Sequence, residues 1–267
     1  MSIPVWEVSR IEGYQESGRT RPLQVSAALT GAEGERLERR ELLVKARGLP
    51  AVTETGLFCE YFGSQLAVEF GLDAPVPVIV NISADLLDAS RDSLRSWGLA
   101  PRSGEAVGVE FFRGLAPLNR FAPVGSGRGE VADALRIYAF DMLVQNPDRR
   151  DDNPNCARYR GRFLAYDFEM AFSFLYPLVG ALLDPAEIPA FATQHVFYRS
   201  LVEASRRGVV DLQPVGDALN RVGERVEELG QFLPARWASF AARVVSHIRA
   251  VQARADVFED GLRRSLA

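Results

Sequence analysis

Apolar and polar residues alternate along the first part of this chain, and apolar residues recur every three or four positions along the rest. Residues 5–10 alternate, residues 22–27 are extended, and residues 40–46 form a strand with Lys45 near its end. Residues 31–35 supply the turn between the last two. From residue 53 to residue 70 the spacing is helical, with Leu57, Tyr61, Ser64 or Gln65, and Val68 on successive turns and Gly71 placed as a C-terminal stop. Extended structure resumes over 75–82, a surface helix is predicted over 84–97, and a further strand over 106–112.

Beyond residue 115 the pattern turns helical. Residues 125–129 are a glycine-rich flexible segment before a helix over 130–145, whose Leu135, Ala139, Met142 and Leu143 face inward. The polar loop 146–155 follows, then a short strand over 162–166 ending at Asp167. A last helix starts near Pro234 and carries Trp237, Phe240, Val244, Ile248, Val251, Ala255, Phe258 and Leu262 at intervals of three or four, a core-packing stripe. The order predicts an α+β protein of two lobes, a strand-rich N-lobe over 1–115 built on an antiparallel sheet plus a helix, and a helical C-lobe over 116–267, sharing a cleft.

Composition narrows the function classes. With 47% hydrophobic and 25% charged residues the chain has ample core-forming material and no bias toward disorder. A net charge of −4 argues against a sequence-independent nucleic-acid binder, and no apolar run approaches membrane-spanning length, so a cytoplasmic protein is expected. Cys59 and Cys156 lack metal-type spacing and are read as free thiols in a reducing compartment. His195 and His247 are the only histidines, which disfavours zinc chemistry and a Ser-His-Asp hydrolase, and both are read as ordinary helix or surface residues.

Of 31 Lys and Arg residues, Lys45 is the single lysine. Where GC-rich coding turns generic cations into arginine, a surviving lysine marks a place for a compact ammonium on a flexible stem, a chance survivor on a strand end being the other reading. The loop 146–155 is the second pole. Asp148 precedes Asn153 by five positions, and Asp167 ends the next strand. Phosphoryl transfer from ATP needs a carboxylate to orient the attacking hydroxyl and oxygen ligands for Mg2+, and these residues follow the kinase order D-x-x-x-x-N then Asp. Glu60 on the 53–70 helix is chosen as the partner of Lys45 over Glu54, which lies near the helix start where carboxylates meet the dipole. Ser17, Gly18 and Arg19 lie in a turn between the first two strands, where phosphates could be cradled, although no Walker or G-x-G-x-x-G pattern is present and an ordinary turn is the other reading.

The stretches LLVKARG, CEYFGSQLAVEFGLDAPVP, FDMLVQNPDRRDDNPN and RFLAYDFEMAF, spanning residues 41–172, make the chain resemble HipA-type serine/threonine kinases, whose fold is that of protein kinases and phosphoinositide kinases. The resemblance implies that Lys45 binds ATP phosphates with Glu60 as its partner, Asp148 is the catalytic base, Asn153 and Asp167 hold magnesium, and a protein is the substrate. The additional N-terminal subdomain that full-length HipA toxins use with a DNA-binding antitoxin is not expected, so a small partner protein is left open and no oligomeric state is implied. Arg150 replaces a histidine common in such kinases, and Phe168-Glu169 follows Asp167. Ser17, with Thr20 nearby, falls in the region where HipA toxins phosphorylate themselves. A small-molecule or lipid kinase with the same site, or a pseudokinase scaffold, are the alternatives.

Overall fold

The computed structural model describes residues 3–30, 36–118, 124–125, 127–176, 184 and 187–267. Its elements run β1 (Val5–Tyr14), β2 (Leu23–Thr30), β3 (Arg36–Lys45), α1 (Glu54–Phe70), β4 (Pro77–Ile82), α2 (Ala84–Ala89), α3 (Arg91–Ser96), β5 (Gly104–Glu110), β6 (Ala116–Pro117), α4 (Arg128–Leu143), β7 (Cys156–Tyr159), β8 (Arg162–Ala165), α5 (Tyr198–Arg206), α6 (Gln213–Gln231), α7 (Ala238–Gln252) and α8 (Ala255–Ser265). The result is a mixed α+β chain, strand-rich first and helical afterwards. The turn expected over 31–35 lies outside the described residues.

The chain divides into two compact units, Met1–Phe62 with Val76–Arg113, and Gly63–Pro75 with Gly114–Ala267. In the first unit the sheet is a closed barrel of order β1-β2-β3-β5-β4 rather than an open antiparallel sheet. Closure comes from parallel pairing of β1 with β4, Val5 opposite Ile79 and Trp6 opposite Val80. Two irregularities in the β1–β2 register, between Val8 and Arg10 and between Ile11 and Gly13, add local twist, which curls a sheet toward closure. Trp6, Val8, Val25, Leu42, Val44, Val78, Val80 and Ile82 fill its core, joined by Leu94 and Leu99. The surface helix expected over 84–97 is two short helices. They meet at Ser90, a residue type whose side chain competes with helical backbone bonding, and which here ends α2 and begins α3.

Helix α1 is buried nearly all round. Leu57, Phe58, Cys59, Glu60, Tyr61, Phe62 and Ser64 are inside, whereas Val68, expected on the same turns, is 40% exposed. At its end Gly71 has φ +91, and the amides of Gly71 and Leu72 bond the carbonyls of Val68 and Ala67, a left-handed stop that glycine adopts without strain.

In the second unit α4, α6, α7 and α8 supply most of the helical core beside a small sheet of order β6-β7-β8. Leu135, Ala139, Met142 and Leu143 of α4 are buried. The last apolar stripe is core, with Trp237, Val244, Ile248, Val251, Phe258 and Leu262 buried, but it is carried by a 3-10 turn (Ala235–Trp237), α7 and α8 in succession. Among the described residues no helix is long and apolar enough to cross a membrane.

One packing contact makes a sharp expectation. A Cβ added to Gly63 of α1 would lie 2.9 Å from Phe168 Cβ and 3.3 Å from Ala171 Cβ. Alanine in a helix interior normally gains about 1 kcal/mol over glycine. Here overpacking, typically about 1–3 kcal/mol, opposes that gain, so Gly63→Ala lowers the urea midpoint instead of raising it.

Candidate active site

Lys45 closes β3, whose Leu42 and Val44 point into the barrel core, and pairs with Val107 of β5. The side chain is therefore delivered from a rigid strand end. Its Nζ donates to Glu60 Oε2 at 2.9 Å, and both side chains are largely buried, 11% and 3% exposed. Such a pair needs good geometry to offset desolvation, and its value is positional. Glu54, the rival carboxylate, pairs instead with Arg47, 2.7 Å from Nη2 and 2.8 Å from Nε.

The turn between β1 and β2 is pinned at its base. Gln15 N–H donates to the Pro22 carbonyl at 2.9 Å, Arg21 lies 4.7 Å from the Tyr14 ring, and Arg21 Nη2 donates to the Trp97 carbonyl at 2.9 Å. Ser17, Gly18 and Arg19 are exposed at the tip and Thr20 is buried.

In the second unit the polar loop is built around a buried acid. Asp141, in the last turn of α4, has no exposed side-chain surface. Arg149 Nε donates to its Oδ2 at 2.6 Å, Asn146 Nδ2 to its Oδ1 at 2.9 Å, and His195 Nε2 to Oδ2 at 2.9 Å. The His195 tautomer follows from its other nitrogen, since Nδ1 accepts from the Phe197 N–H at 3.2 Å. Burial pushes the Asp141 carboxyl up, but the Arg149 charge and the His195 bond outweigh it and hold the carboxyl below its ordinary value. Burial lowers His195, against the raising effect of Asp141, so the ring is neutral.

The same arginine ties both ends of the site. Arg149 Nη1 donates to the carbonyl of Asn155 and, at 3.2 Å, to that of Tyr166, and its guanidinium lies 5.1 Å from the Phe168 ring. With Arg149 drawn inward, the neighbouring Asp148 meets two amides. Asn153 Nδ2 donates to Asp148 Oδ2 at 2.9 Å and Asn155 Nδ2 to the same oxygen at 3.2 Å, while Asp148 N–H donates to Asn146 Oδ1 at 3.2 Å. Asp167 follows β8 with φ +60, and the preceding Tyr166 N–H donates to the Asn155 carbonyl at 3.0 Å.

The structure thus brings Lys45 to Glu60 and Asp148 to Asn153, and joins the strand leading to Asp167 to the Asp148 loop through Arg149 and Asn155. The sequence pattern assigns no role to Asp141, Arg149 or Asn155. Asp141 did leave a signal there, a lone acid inside the apolar run Tyr138-Ala-Phe-Asp-Met-Leu-Val144, which needs a buried partner. His195 is a correction to its reading as an ordinary helix or surface residue: it is buried against an acid 54 positions away. His247, on α7, is likewise buried and donates to the Leu143 carbonyl at 2.8 Å.

Among the described residues no group of three or more His, Cys, Asp or Glu gathers to cage a metal. Asn153 spends its amide nitrogen on Asp148, so oxygen is the atom it can offer a cation. Carboxylate and amide oxygens of this kind suit a hard ion that completes its shell with water and substrate phosphates, as Mg2+ does.

Two stability effects follow. Removing Arg149 leaves Asp141 buried and uncompensated, so Arg149→Ala costs about 3–5 kcal/mol in chemical denaturation. Burial depresses both histidines below 6.5, so the unfolded chain binds protons that the folded chain refuses. The unfolding free energy is then greatest above 6.5 and falls as pH drops below it. Urea titrations across that range show the slope, and His247→Gln flattens it.

The sequence matches the HipA-like kinase family over residues 38–264. Among solved structures, the Helicobacter pylori proinflammatory kinase CtkA is similar, with a TM-score of 0.50 and 11% sequence identity over 98% of each chain, a likeness of fold. Comparison with curated proteins finds no match. The family match begins in β3, takes in Lys45, the Asp148 loop and Asp167, and ends in α8, and on that extent the chain belongs to the HipA-like kinase family.

Proposed function

We infer that this chain transfers the γ-phosphoryl group of ATP, with Mg2+, to a serine or threonine hydroxyl of a protein. The observation that carries the reading is the arrangement at Asp148: its carboxylate is held through Oδ2 by the amide of the asparagine five residues on, beside the segment that leads to Asp167.

In this reading Asp148 accepts or orients the proton of the attacking hydroxyl, a contribution of about 10²–10⁴-fold for a placed general base. The amide bonds to Oδ2 fix the plane of the carboxylate and so the direction in which its other oxygen presents lone pairs. Lys45, steadied by Glu60, binds the phosphates as a point charge. Asn153 and Asp167 supply the oxygens for Mg2+, which when bound offsets charge on the phosphoryl oxygens. The exposed tip at Ser17, Gly18 and Arg19 offers backbone amides and one cation to the nucleotide. The HipA-type motifs favour a protein acceptor, and the sequence shows no long acidic segment typical of an aminoglycoside-binding flap.

The test is transfer of label from γ-labelled ATP·Mg2+ to protein acceptors, followed by phosphoamino-acid analysis. Wild type yields phosphoserine or phosphothreonine, and Asp148→Asn and Lys45→Ala each lose at least about 10²-fold of that rate. Equal incorporation by all three overturns the kinase reading. Label found only in small hydroxylated molecules overturns the protein acceptor.

A further inference from the structure

Asn155 lies two residues beyond Asn153 and seven beyond Asp148, outside the D-x-x-x-x-N spacing. It nonetheless makes three links at once. Its side-chain Nδ2 donates to Asp148 Oδ2 at 3.2 Å, on the same oxygen that Asn153 holds. Its carbonyl accepts from Arg149 Nη1 and, at 3.0 Å, from the Tyr166 N–H. The residue is 7% exposed and has φ +42, a left-handed conformation that asparagine tolerates better than most residues.

Two amides on one carboxylate oxygen do what one cannot. A single N–H···O bond leaves the carboxyl group able to rotate about its Cβ–Cγ bond, whereas two donors from different directions define its plane. Asn153 is also the residue that would turn its oxygen to a cation, so its grip on Asp148 is subject to that second task. Asn155 has its carbonyl anchored by Arg149, which is itself locked on Asp141 at 2.6 Å with no exposed surface. The buried ion pair therefore backs the donor that aims the carboxylate.

We propose that Asn155 is a positioning residue of the phosphotransfer site, its side-chain amide orienting Asp148 independently of the metal-binding asparagine. The inference rests on the kinase reading above and adds a residue to it. Asn155 touches neither nucleotide nor acceptor in this scheme and acts only through Asp148.

The competing role is purely structural, a left-handed residue that lets the chain turn into β7. Asn155→Gly separates the two, because glycine keeps φ +42 without strain while the side chain that carries the amide is gone. Asn155→Asp keeps the size and replaces the donor with a charge facing Asp148. Steady-state transfer from ATP·Mg2+ is measured with the chain itself and dephosphorylated casein as acceptors, beside melting temperature, wild type and Asp148→Asn. Both Asn155 variants lose kcat by about 10²-fold, the scale of a misplaced catalytic group, while KM for ATP stays near wild type and Asn155→Gly melts near the wild-type temperature. An Asn155→Gly variant with wild-type kcat overturns the proposal and leaves the kinase reading standing. A loss of kcat that tracks a matching rise in KM and fall in melting temperature also overturns it, since that is the structural role. A wild type no faster than Asp148→Asn overturns the kinase reading and this inference together.

Discussion

An ionised carboxylate without exposed surface is costly unless it is paired and its lone pairs are filled, and Asp141 is such a group. Its two oxygens take Arg149, His195 and Asn146, and the partners come from two places: Asn146 and Arg149 from the polar loop, and His195 from a segment 54 residues downstream. Meeting that requirement shapes the loop. Arg149 must reach inward and its neighbours must follow, which sets Asp148 against Asn153 and Asn155 and draws the Tyr166 carbonyl to the same guanidinium. A surface loop of this polarity would ordinarily sample many conformations; this one is tied to α4 through Asn146 and Arg149, both bonded to Asp141.

Some of the backbone strain lies at Asp167 and just after it. Asp167 and Phe172 both adopt positive φ, +60 and +56, conformations that non-glycine residues hold only when the surroundings impose them. The surroundings are visible: Phe172 N–H donates to the Val144 carbonyl at 2.6 Å, Ser173 N–H to Gln145 at 3.3 Å, and Phe168 packs edge-on to Phe140 and beneath Gly63. Phe174 carries on the anchoring, with its carbonyl accepting from Arg243 at 2.7 Å and its ring 4.9 Å from that of His247. Helix α1 contributes to each unit, with Glu60 seating Lys45 in the first and Gly63 admitting Phe168 in the second.

Much of the site was readable because it depends on short-range rules. A period of two sets the β3 strand with Lys45 near its end, a period of three to four sets α1 and α4, and Gly71 stops α1 where a left-handed residue is needed. Spacing within one loop likewise brings Asp148 to Asn153, since five residues of tight turn return the chain on itself. By contrast, the alternation along β1 says which side chains face a core and nothing about which strand lies alongside. Its parallel pairing with β4, more than seventy residues on, and hence the barrel, needed the three-dimensional structure.

The sequence by itself determined the longer strands of the first unit, helices α1 and α4, the strand before Asp167, the lone lysine and the acid-amide-acid series, because those are properties of neighbours along the chain. Tertiary structure decided that α1 is buried nearly all round, that Glu60 is the carboxylate bonded to Lys45, and that Asp141, Arg149 and His195 form one buried group behind the loop. Each of these turns on desolvation, which depends on what else is packed nearby and is invisible until distant segments have come together.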